Sequence, residues 1–352
     1  MRNCFSLIIG FIVLSSCSAT HNIPNNQTPN ETLSLNTYKV FVDQNGDFYP
    51  DRWESKYGEH PKNATKKNGA YSLNTLAISK NLTKDLSSFR IETLNEIKEK
   101  FINNDRIFIL IHGYNNSENK ADLGFETIKS KIDFQEKDGI IEFYWDGLVA
   151  NGPIGSFDIW FNASGYSQLA GERALRPILN LIYNKNIILI SHSRGASVVL
   201  SGLSDPPYDK DFADDTYEFH KIKVQNQPKL ADNKNRIFAI LLAPALGQID
   251  FRTPEYYTSD PNSFRMFSNQ LKEVHITVNE DDKILKKYVK GLSSKLNPTD
   301  LGYNIQVFNL LKNSYPIMSM TNFEGLNSHS FIDYANDQRF VEILKTLQIE
   351  IK

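Results

Sequence analysis

The feature that most constrains the fold is a repeating order of short apolar strands and helical or irregular segments between about residues 90 and 350. Several of the strands, such as Ile187–Ile190, are continuously apolar, which is typical of strands covered on both faces. Strands that alternate with helices predict an α/β fold with a mainly parallel central sheet and helices on both faces. The predicted strands are Arg106–Ile111, Gly139–Trp145, Asn186–Ile190, Arg236–Leu242, Glu273–Val278 and Asn304–Leu310.

Helical segments are predicted between these strands and at both ends of the pattern. In front of the first strand, apolar residues recur at helical spacing from Ile91 to Phe101. Further helices are expected at about 163–184, 194–203 and 337–347. The stretch 202–235 is long, charged and contains proline, and loops of this length in compact domains are usually functional or disordered. It is therefore a candidate cap or lid.

One strand leads directly into a turn that is rich in small residues. Strand Asn186–Ile190 is followed by Ser191-His192-Ser193-Arg194-Gly195, and the chain then looks helical. Strand, tight turn and helix form the context of a nucleophile elbow, in which the central residue is strained and small residues flank it at two positions. Gly195 meets the second requirement, and Ser191 stands where glycine is commoner. The alternative is an ordinary serine at a strand–helix junction.

Together with His112-Gly113-Tyr114 after an earlier strand, this turn resembles the α/β-hydrolase superfamily over about residues 90–350. The resemblance implies that Ser193 is the nucleophile and that the backbone N–H groups of Tyr114 and Arg194 form the oxyanion hole. The chain also resembles a bacterial subfamily of poorly defined activity. Three short segments carry that second resemblance: Phe143–Gly147, Leu242–Pro244 and Leu301-Gly302.

The base and the acid are predicted from chain order, which in this superfamily is serine, acid, histidine. His329 lies in a polar loop after the last predicted strand and before the last helix, whereas His275 lies inside a strand and precedes the acid candidates. Asp282, which follows strand 273–278, is the predicted acid, and Asp281 is the second choice. One of the two is expected to be only a loop carboxylate or a helix cap.

These residues predict a serine hydrolase that cleaves a carboxylic ester, with lipid or acyl esters among the candidates, through an acyl-enzyme. No metal or organic cofactor is expected. Amidase, thioesterase and peptidase activities stay open, as does the oligomeric state. The alternative from another class is a non-catalytic binding or envelope-assembly protein that retains the fold.

The N-terminus resembles the signal segment of a bacterial lipoprotein. Arg2 is followed by an apolar run from Phe5 to Leu14, which is too short to span a bilayer. It ends in Leu14-Ser15-Ser16-Cys17, which resembles a lipobox and implies cleavage before Cys17 and diacylation of its sulfur. The alternative is an ordinary secretory signal that contains a cysteine. Residues 17–35 are rich in Asn, Thr, Ser and Pro and predict a flexible tether.

Composition agrees with a lipid-anchored envelope protein. Of the two cysteines, Cys4 would leave with residues 1–16, so the remaining 352 − 16 = 336 residues would hold no thiol other than the lipidated Cys17. The net charge of −2 without a basic patch argues against a nucleic-acid partner. Membrane contact is expected through the lipid. Ser18 stands where some Gram-negative lipoproteins carry an aspartate for inner-membrane retention, which favours the outer membrane.

The hydrolase domain is predicted over 36–352. It opens with a hairpin signal, Asn45-Gly46 between the apolar stretches Tyr38–Val42 and Phe48–Pro50. The acidic residues around this turn lack the later ligands of an EF-hand, so no calcium site is predicted. The Gly-rich stretch Trp145–Trp160 carries aromatic residues that are candidates for an acyl pocket, or simply for packing.

Overall fold

The structure is a computed structural model, described here for residues 20–24, 30, 33, 36–58, 72–150, 152–220, 223–225, 227–257, 263–287 and 298–352. The predicted signal peptide (1–16) and Cys17 lie outside the described residues. None of the helices within the described part of the chain is long and apolar enough to cross a membrane.

The described strands form one sheet of seven, in the order β1-β3-β2-β4-β5-β6-β7, and every neighbouring pair is parallel. The predicted α/β class is therefore confirmed. Because all strands run the same way, their carboxyl ends meet along one edge, called here the carboxyl edge. The strands are β1 (Thr37–Val42), β2 (Arg106–Ile111), β3 (Asp138–Trp145), β4 (Asn186–His192), β5 (Arg236–Leu242), β6 (Leu271–Val278) and β7 (Met318–Asn322).

Helices cover both faces of this sheet. Along β2, Ile107 and Ile109 pack into one buried apolar cluster, while Phe108 and Leu110 pack into another. Alternate side chains of a strand point to opposite faces, so each face has its own core. The helices are α1 (Trp53–Tyr57), α2 (Leu73–Ser79), α3 (Thr83–Phe101), α4 (Glu118–Lys131), α5 (Gly152–Ala170), α6 (Arg176–Leu181), α7 (Gly195–Leu203), α8 (Lys210–His220), α9 (Ile305–Ser314), α10 (Phe331–Asn336) and α11 (Gln338–Thr346).

The predicted strand Asn304–Leu310 is wrong, because this segment begins helix α9. The Asn304 side chain accepts a hydrogen bond from the backbone N–H of Gln306 and so caps the helix. The strand that does pair with β6 is β7, which comes later in the chain. It was not predicted because Ser319 and Thr321 interrupt its apolar pattern, and both face His275 on β6.

The helix predicted over 163–184 is also longer and more irregular than expected. Helix α5 already begins at Gly152 and runs into one turn of π-helix, Gly171–Leu175, before α6. A Cβ on Gly171 would lie 2.3 Å from the carbonyl oxygen of Val198 in α7. The contact between these helices therefore requires glycine.

The N-terminal hairpin signal produces a turn but not a two-stranded hairpin. The chain reverses at Asn45-Gly46, where the Asp43 carboxylate accepts the backbone N–H groups of Asn45 and Asp47. The return arm makes only a single antiparallel bridge, between Val42 and Phe48. Strand β1 instead pairs in parallel with β3.

Part of the predicted flexible tether is docked on the folded body. Thr20 forms an antiparallel bridge with Val149, just beyond the end of β3. His21 and Asn22 both hydrogen-bond to the buried carboxylate of Asp146. Composition does not reveal this docking, because it depends on a partner more than 120 residues away.

Candidate active site

Ser193 lies in the tight turn between β4 and α7, at the carboxyl edge of the sheet. Its φ of +52° is in the left-handed region, which typically costs a non-glycine residue about 1–3 kcal/mol. The surrounding backbone holds this conformation. The Ser193 N–H donates to the carbonyl of Leu242, and the Ser193 carbonyl accepts from the N–H groups of Ala196 and Ala245.

Two glycines allow the loops after β2 and β4 to touch at this point. A Cβ on Gly195 would lie 2.4 Å from the carbonyl oxygen of His112, and a Cβ on Gly113 would lie 2.8 Å from the Cβ of Ser193. Neither distance is compatible with a side chain. The two glycines therefore bring the loop that carries Tyr114 against the nucleophile turn.

We expect Gly195→Ala to destabilise the fold, because its methyl group would collide with backbone rather than with a flexible side chain. Overpacking of this kind costs about 1–3 kcal/mol. Urea unfolding followed by circular dichroism measures the loss. Ser87→Ala, at an exposed position of α3, is the control, because it inserts no atom into a packed contact. A Gly195→Ala variant no less stable than Ser87→Ala would contradict the close packing of the elbow.

The structure joins Ser193, His329 and Asp282 in one chain of hydrogen bonds. His329 Nε2 lies 2.9 Å from Ser193 Oγ, and His329 Nδ1 lies 2.6 Å from Asp282 Oδ2. The three side chains come from three separate segments: the end of β4, the loop after β6 and the loop before α10. Ser193 and Asp282 are buried.

The two neighbouring carboxylates have different surroundings. Asp282 Oδ1 accepts the backbone N–H groups of Ile284 and Leu285, both at 3.0 Å, which leaves Oδ2 facing His329. The nearby Tyr334 hydroxyl accepts the side-chain N–H of Asn279 at 3.0 Å, and burial, with the negative charge of Asp282, raises the pKa of Tyr334. Asp281, by contrast, accepts the N–H of Gly325 at 2.8 Å on the surface. The geometry therefore favours the first-choice acid, Asp282.

His192 belongs to the site, although sequence reasoning gave it no role. Its Nε2 lies 2.8 Å from the backbone carbonyl of His329, and its ring stacks on Phe331. Burial lowers the pKa of His192 well below its ordinary value. A carbonyl can only accept, so the neutral ring carries its proton on Nε2 and donates it to His329. His192 therefore fixes the loop that carries the predicted base.

Of the two predicted oxyanion donors, Tyr114 lines the same cavity as Ser193, and Arg194 is the next residue in the chain, immediately before α7. The buried Arg194 guanidinium lies 2.8 Å from a carboxylate oxygen of Asp250 and donates to the carbonyl of Ala245. The Arg194 side chain therefore makes structural contacts. Tyr114 packs edge-on against Trp160.

A cavity of about 550 Å³ opens beside Ser193 and His329. The residues that line it include apolar side chains and two lysines, Lys120 and Lys287. Burial lowers the pKa of Lys287 to about 8, with a further contribution from the charge of Arg194. The other lining residues are Tyr114, Asn115, Asn116, Leu123, His192, Ile284, Ser330, Phe331 and Ile332.

Other residues considered from the sequence lie away from this cavity. His275 bonds to Ser319 and Thr321 within the sheet. The indole N–H of Trp145 donates to the backbone of His112 at 2.7 Å, so this tryptophan packs behind the site. The described lining includes neither Trp145 nor Trp160, and no described residue of 202–235. The cap or lid role of 202–235 stays a prediction.

The parallel sheet with a strained serine between strand and helix defines an α/β-hydrolase. A family profile described as "Alpha/beta hydrolase of unknown function (DUF900)" matches residues 90–296. This match covers more than half of the chain, so the protein belongs to that family. The matched region includes Ser193 and Asp282, whereas His329 follows it. No curated protein matches the chain significantly.

Proposed function

We propose that the protein is a serine hydrolase that cleaves carboxylic esters through an acyl-enzyme. The observation that carries this proposal is the chain of hydrogen bonds from Ser193 through His329 to Asp282. A serine hydroxyl is a weak nucleophile at its own pKa and needs an adjacent base. His329 occupies the position of that base, and Asp282 occupies the position of its orienting carboxylate.

In this mechanism the Asp282 carboxylate accepts a hydrogen bond from the Nδ1–H of His329, so the unprotonated Nε2 can take the proton of Ser193. The serine oxygen attacks the ester carbonyl, and the resulting oxyanion is stabilised by the backbone N–H groups of Tyr114 and Arg194. Losing one such donor typically costs about 10²–10³ in turnover. The intermediate collapses, and the alcohol leaves with the proton from His329.

Water then enters, gives its proton to His329 and attacks the acyl-enzyme. The second intermediate releases the acid and returns the proton to Ser193. Apolar residues of the cavity wall such as Phe331 and Ile332 suit the acyl chain of a substrate, which an ester, a thioester or an amide can carry. Parallel assays on amide, thioester and peptide substrates distinguish the neighbouring activities.

A burst experiment tests this proposal. p-Nitrophenyl acetate mixed rapidly with the protein should release about one equivalent of nitrophenol per site before steady turnover, because this activated ester acylates the serine faster than water hydrolyses the acyl-enzyme, which therefore accumulates. A non-catalytic binding or envelope-assembly protein would release none above the rate in buffer. That result, obtained with correctly folded protein, would favour the non-catalytic alternative.

We also propose that the protein is anchored in the cell envelope by lipid on Cys17. Cys17→Ser should abolish acylation and retain the uncleaved signal segment, because the thiol carries the lipid and marks the processing site. Mass spectrometry of the mature N-terminus and detergent phase partitioning measure both effects. Two acyl chains suffice for stable attachment. A mature N-terminus at another residue without lipid would contradict the anchor.

A further inference from the structure

We infer that the cavity beside Ser193 opens toward the membrane that holds the lipid anchor, and that its substrate is an ester of an anionic membrane lipid. This inference rests on the proposed hydrolase function and anchor. It goes beyond them because it fixes the orientation of the folded body and the class of substrate. Three observations support it: the docked N-terminal segment, the apolar rim of the cavity and the charges in its wall.

The docked segment Thr20–Pro24 leads from the anchor to the carboxyl edge of the sheet. Backbone hydrogen bonds of 2.8 Å link Thr20 and Val149 in both directions. The imidazole Nδ1 of His21 lies 2.5 Å from Asp146, and both side chains are buried. These contacts fix the chain next to the end of β3.

The same segment touches the loop that lines the cavity. The side-chain amide of Asn22 donates to the carbonyl of Asn116 at 3.0 Å, and Asn116 lines the cavity. The side-chain oxygen of the neighbouring Asn115 accepts the N–H of Ala150. The exit point of the anchor and the mouth of the cavity are therefore built on adjacent loops.

The chain between anchor and docked segment is short. Thr20 is three residues after Cys17, and three residues span at most about 11 Å. A tether of 17–35 would allow the domain to tumble freely. Docking at Thr20 shortens the effective tether and brings the carboxyl edge close to the bilayer surface.

The rim of the cavity has the composition of a membrane-facing surface. Leu123 and Ile284 both line the cavity, yet 58% and 37% of their surfaces remain exposed. Contiguous exposed apolar patches mark membrane or partner surfaces, and here the two side chains, on α4 and on the loop after β6, share one cavity. Lys120 lies one helical turn before Leu123, and Lys283 directly precedes Ile284; both lysines are exposed.

Charge favours an anionic lipid over a neutral one. The described lining of the cavity contains Lys120 and Lys287 but no carboxylate. Three acidic residues close in sequence to lining residues, Glu118, Glu280 and Asp333, oppose part of this positive charge. Because Lys287 lines the same cavity as Ser193, an ester whose headgroup is a phosphate or carboxylate would place its charge near this ammonium group and its acyl chain against the apolar residues.

The orientation is tested with a fluorophore on the lipidated full-length protein. Once lipid blocks Cys17 and Cys4 has left with the signal, an introduced cysteine is the sole reactive thiol. A bimane is attached at Leu123→Cys or at Ile102→Cys. Ile102 is 53% exposed and precedes β2, so it lies at the opposite edge of the sheet. Each protein is reconstituted into phosphatidylglycerol vesicles that contain spin-labelled lipid.

Quenching at position 123 should exceed quenching at position 102 severalfold. Equal quenching at both positions, or stronger quenching at position 102, would overturn the proposed orientation. Labelling of Ser193 by a fluorophosphonate reports the hydrolase function separately; it is measured on protein without bimane in matching vesicles, because Leu123 lines the cavity. Stronger quenching at position 123 with no label on Ser193 would support the orientation and contradict the hydrolase function. A label on Ser193 without stronger quenching at position 123 would contradict only the orientation.

The role of the short link between Cys17 and Thr20 is tested by lengthening it, and the substrate class is tested by comparing two phospholipids. An insert of about 20 Gly and Ser residues between Ser18 and Ala19 adds roughly 25 Å of flexible chain without changing the folded body. Hydrolysis of phosphatidylglycerol in the vesicle should fall about tenfold, while hydrolysis of soluble p-nitrophenyl acetate should not change. Equal loss on both substrates, or no loss on the lipid, would contradict the inferred role of the short link. Equal rates on phosphatidylglycerol and phosphatidylcholine would reject the preference for an anionic lipid.

Discussion

Replacing Ser193 with alanine should lower kcat for a soluble p-nitrophenyl ester by about 10⁴–10⁶-fold, as loss of the nucleophile does in other serine hydrolases. The substitution removes the one oxygen that lies within 2.9 Å of His329 Nε2 and leaves the backbone hydrogen bonds of the turn in place. Initial rates and circular dichroism, measured on the same preparation, separate loss of chemistry from loss of fold.

Ser191→Ala is the matched control, because it removes a hydroxyl only two residues earlier, near the end of β4. Ser191 is fully buried, and its hydroxyl has no hydrogen-bond partner among the described residues. The control should retain activity within about threefold, since a surplus buried hydroxyl contributes little. Comparable losses in both variants would mean that the turn tolerates no change, and the assignment of Ser193 would then lose its support.

The second large effect is expected at Asp282. Asp282→Asn should lower kcat by about 10⁴-fold, because an amide cannot hold the His329 tautomer that leaves Nε2 free to accept the serine proton. The asparagine amide can also be oriented in only two ways. Its NH2 group would face either the backbone N–H groups of Ile284 and Leu285 or the imidazole N–H of His329, and in both cases one donor would face another.

Asp281→Asn is the control for this variant. The Asp281 carboxylate bonds to Gly325 on the surface and not to His329, so its replacement should change kcat by less than about threefold, as surface hydrogen bonds of this kind are weak. Steady-state kinetics of both variants decide the assignment. If the Asp281 variant lost more activity than the Asp282 variant, the acid would have to be reassigned.

Much of the fold could be predicted because its signals are local. Five of the six predicted strands occur in the sheet, since short, continuously apolar runs such as Ile187–Ile190 are typical of strands covered on both faces. The nucleophile turn also has a local signature, because the close approach to His112 requires Gly195. Chain order then led to His329 and Asp282, which the structure brings together with Ser193.

The parts that sequence reasoning missed depend on distant partners. Asn304–Leu310 has enough apolar residues for a strand, but the cap at Asn304 starts a helix there. His192 hydrogen-bonds to the backbone carbonyl of His329, 137 residues away, and no local sequence pattern indicates that contact. Docking of Thr20–Pro24 likewise depends on the buried carboxylate of Asp146.

The central claim is that Ser193 is an activated nucleophile, and a fluorophosphonate probe tests it most directly. The probe needs an activated serine and an oxyanion site but no knowledge of the natural substrate. After labelling and digestion, mass spectrometry should find the phosphonyl group on the peptide that contains Ser193, at about one equivalent per chain, with strong reduction in His329→Ala. A folded protein that takes no label, or that carries it on another serine, would contradict the account.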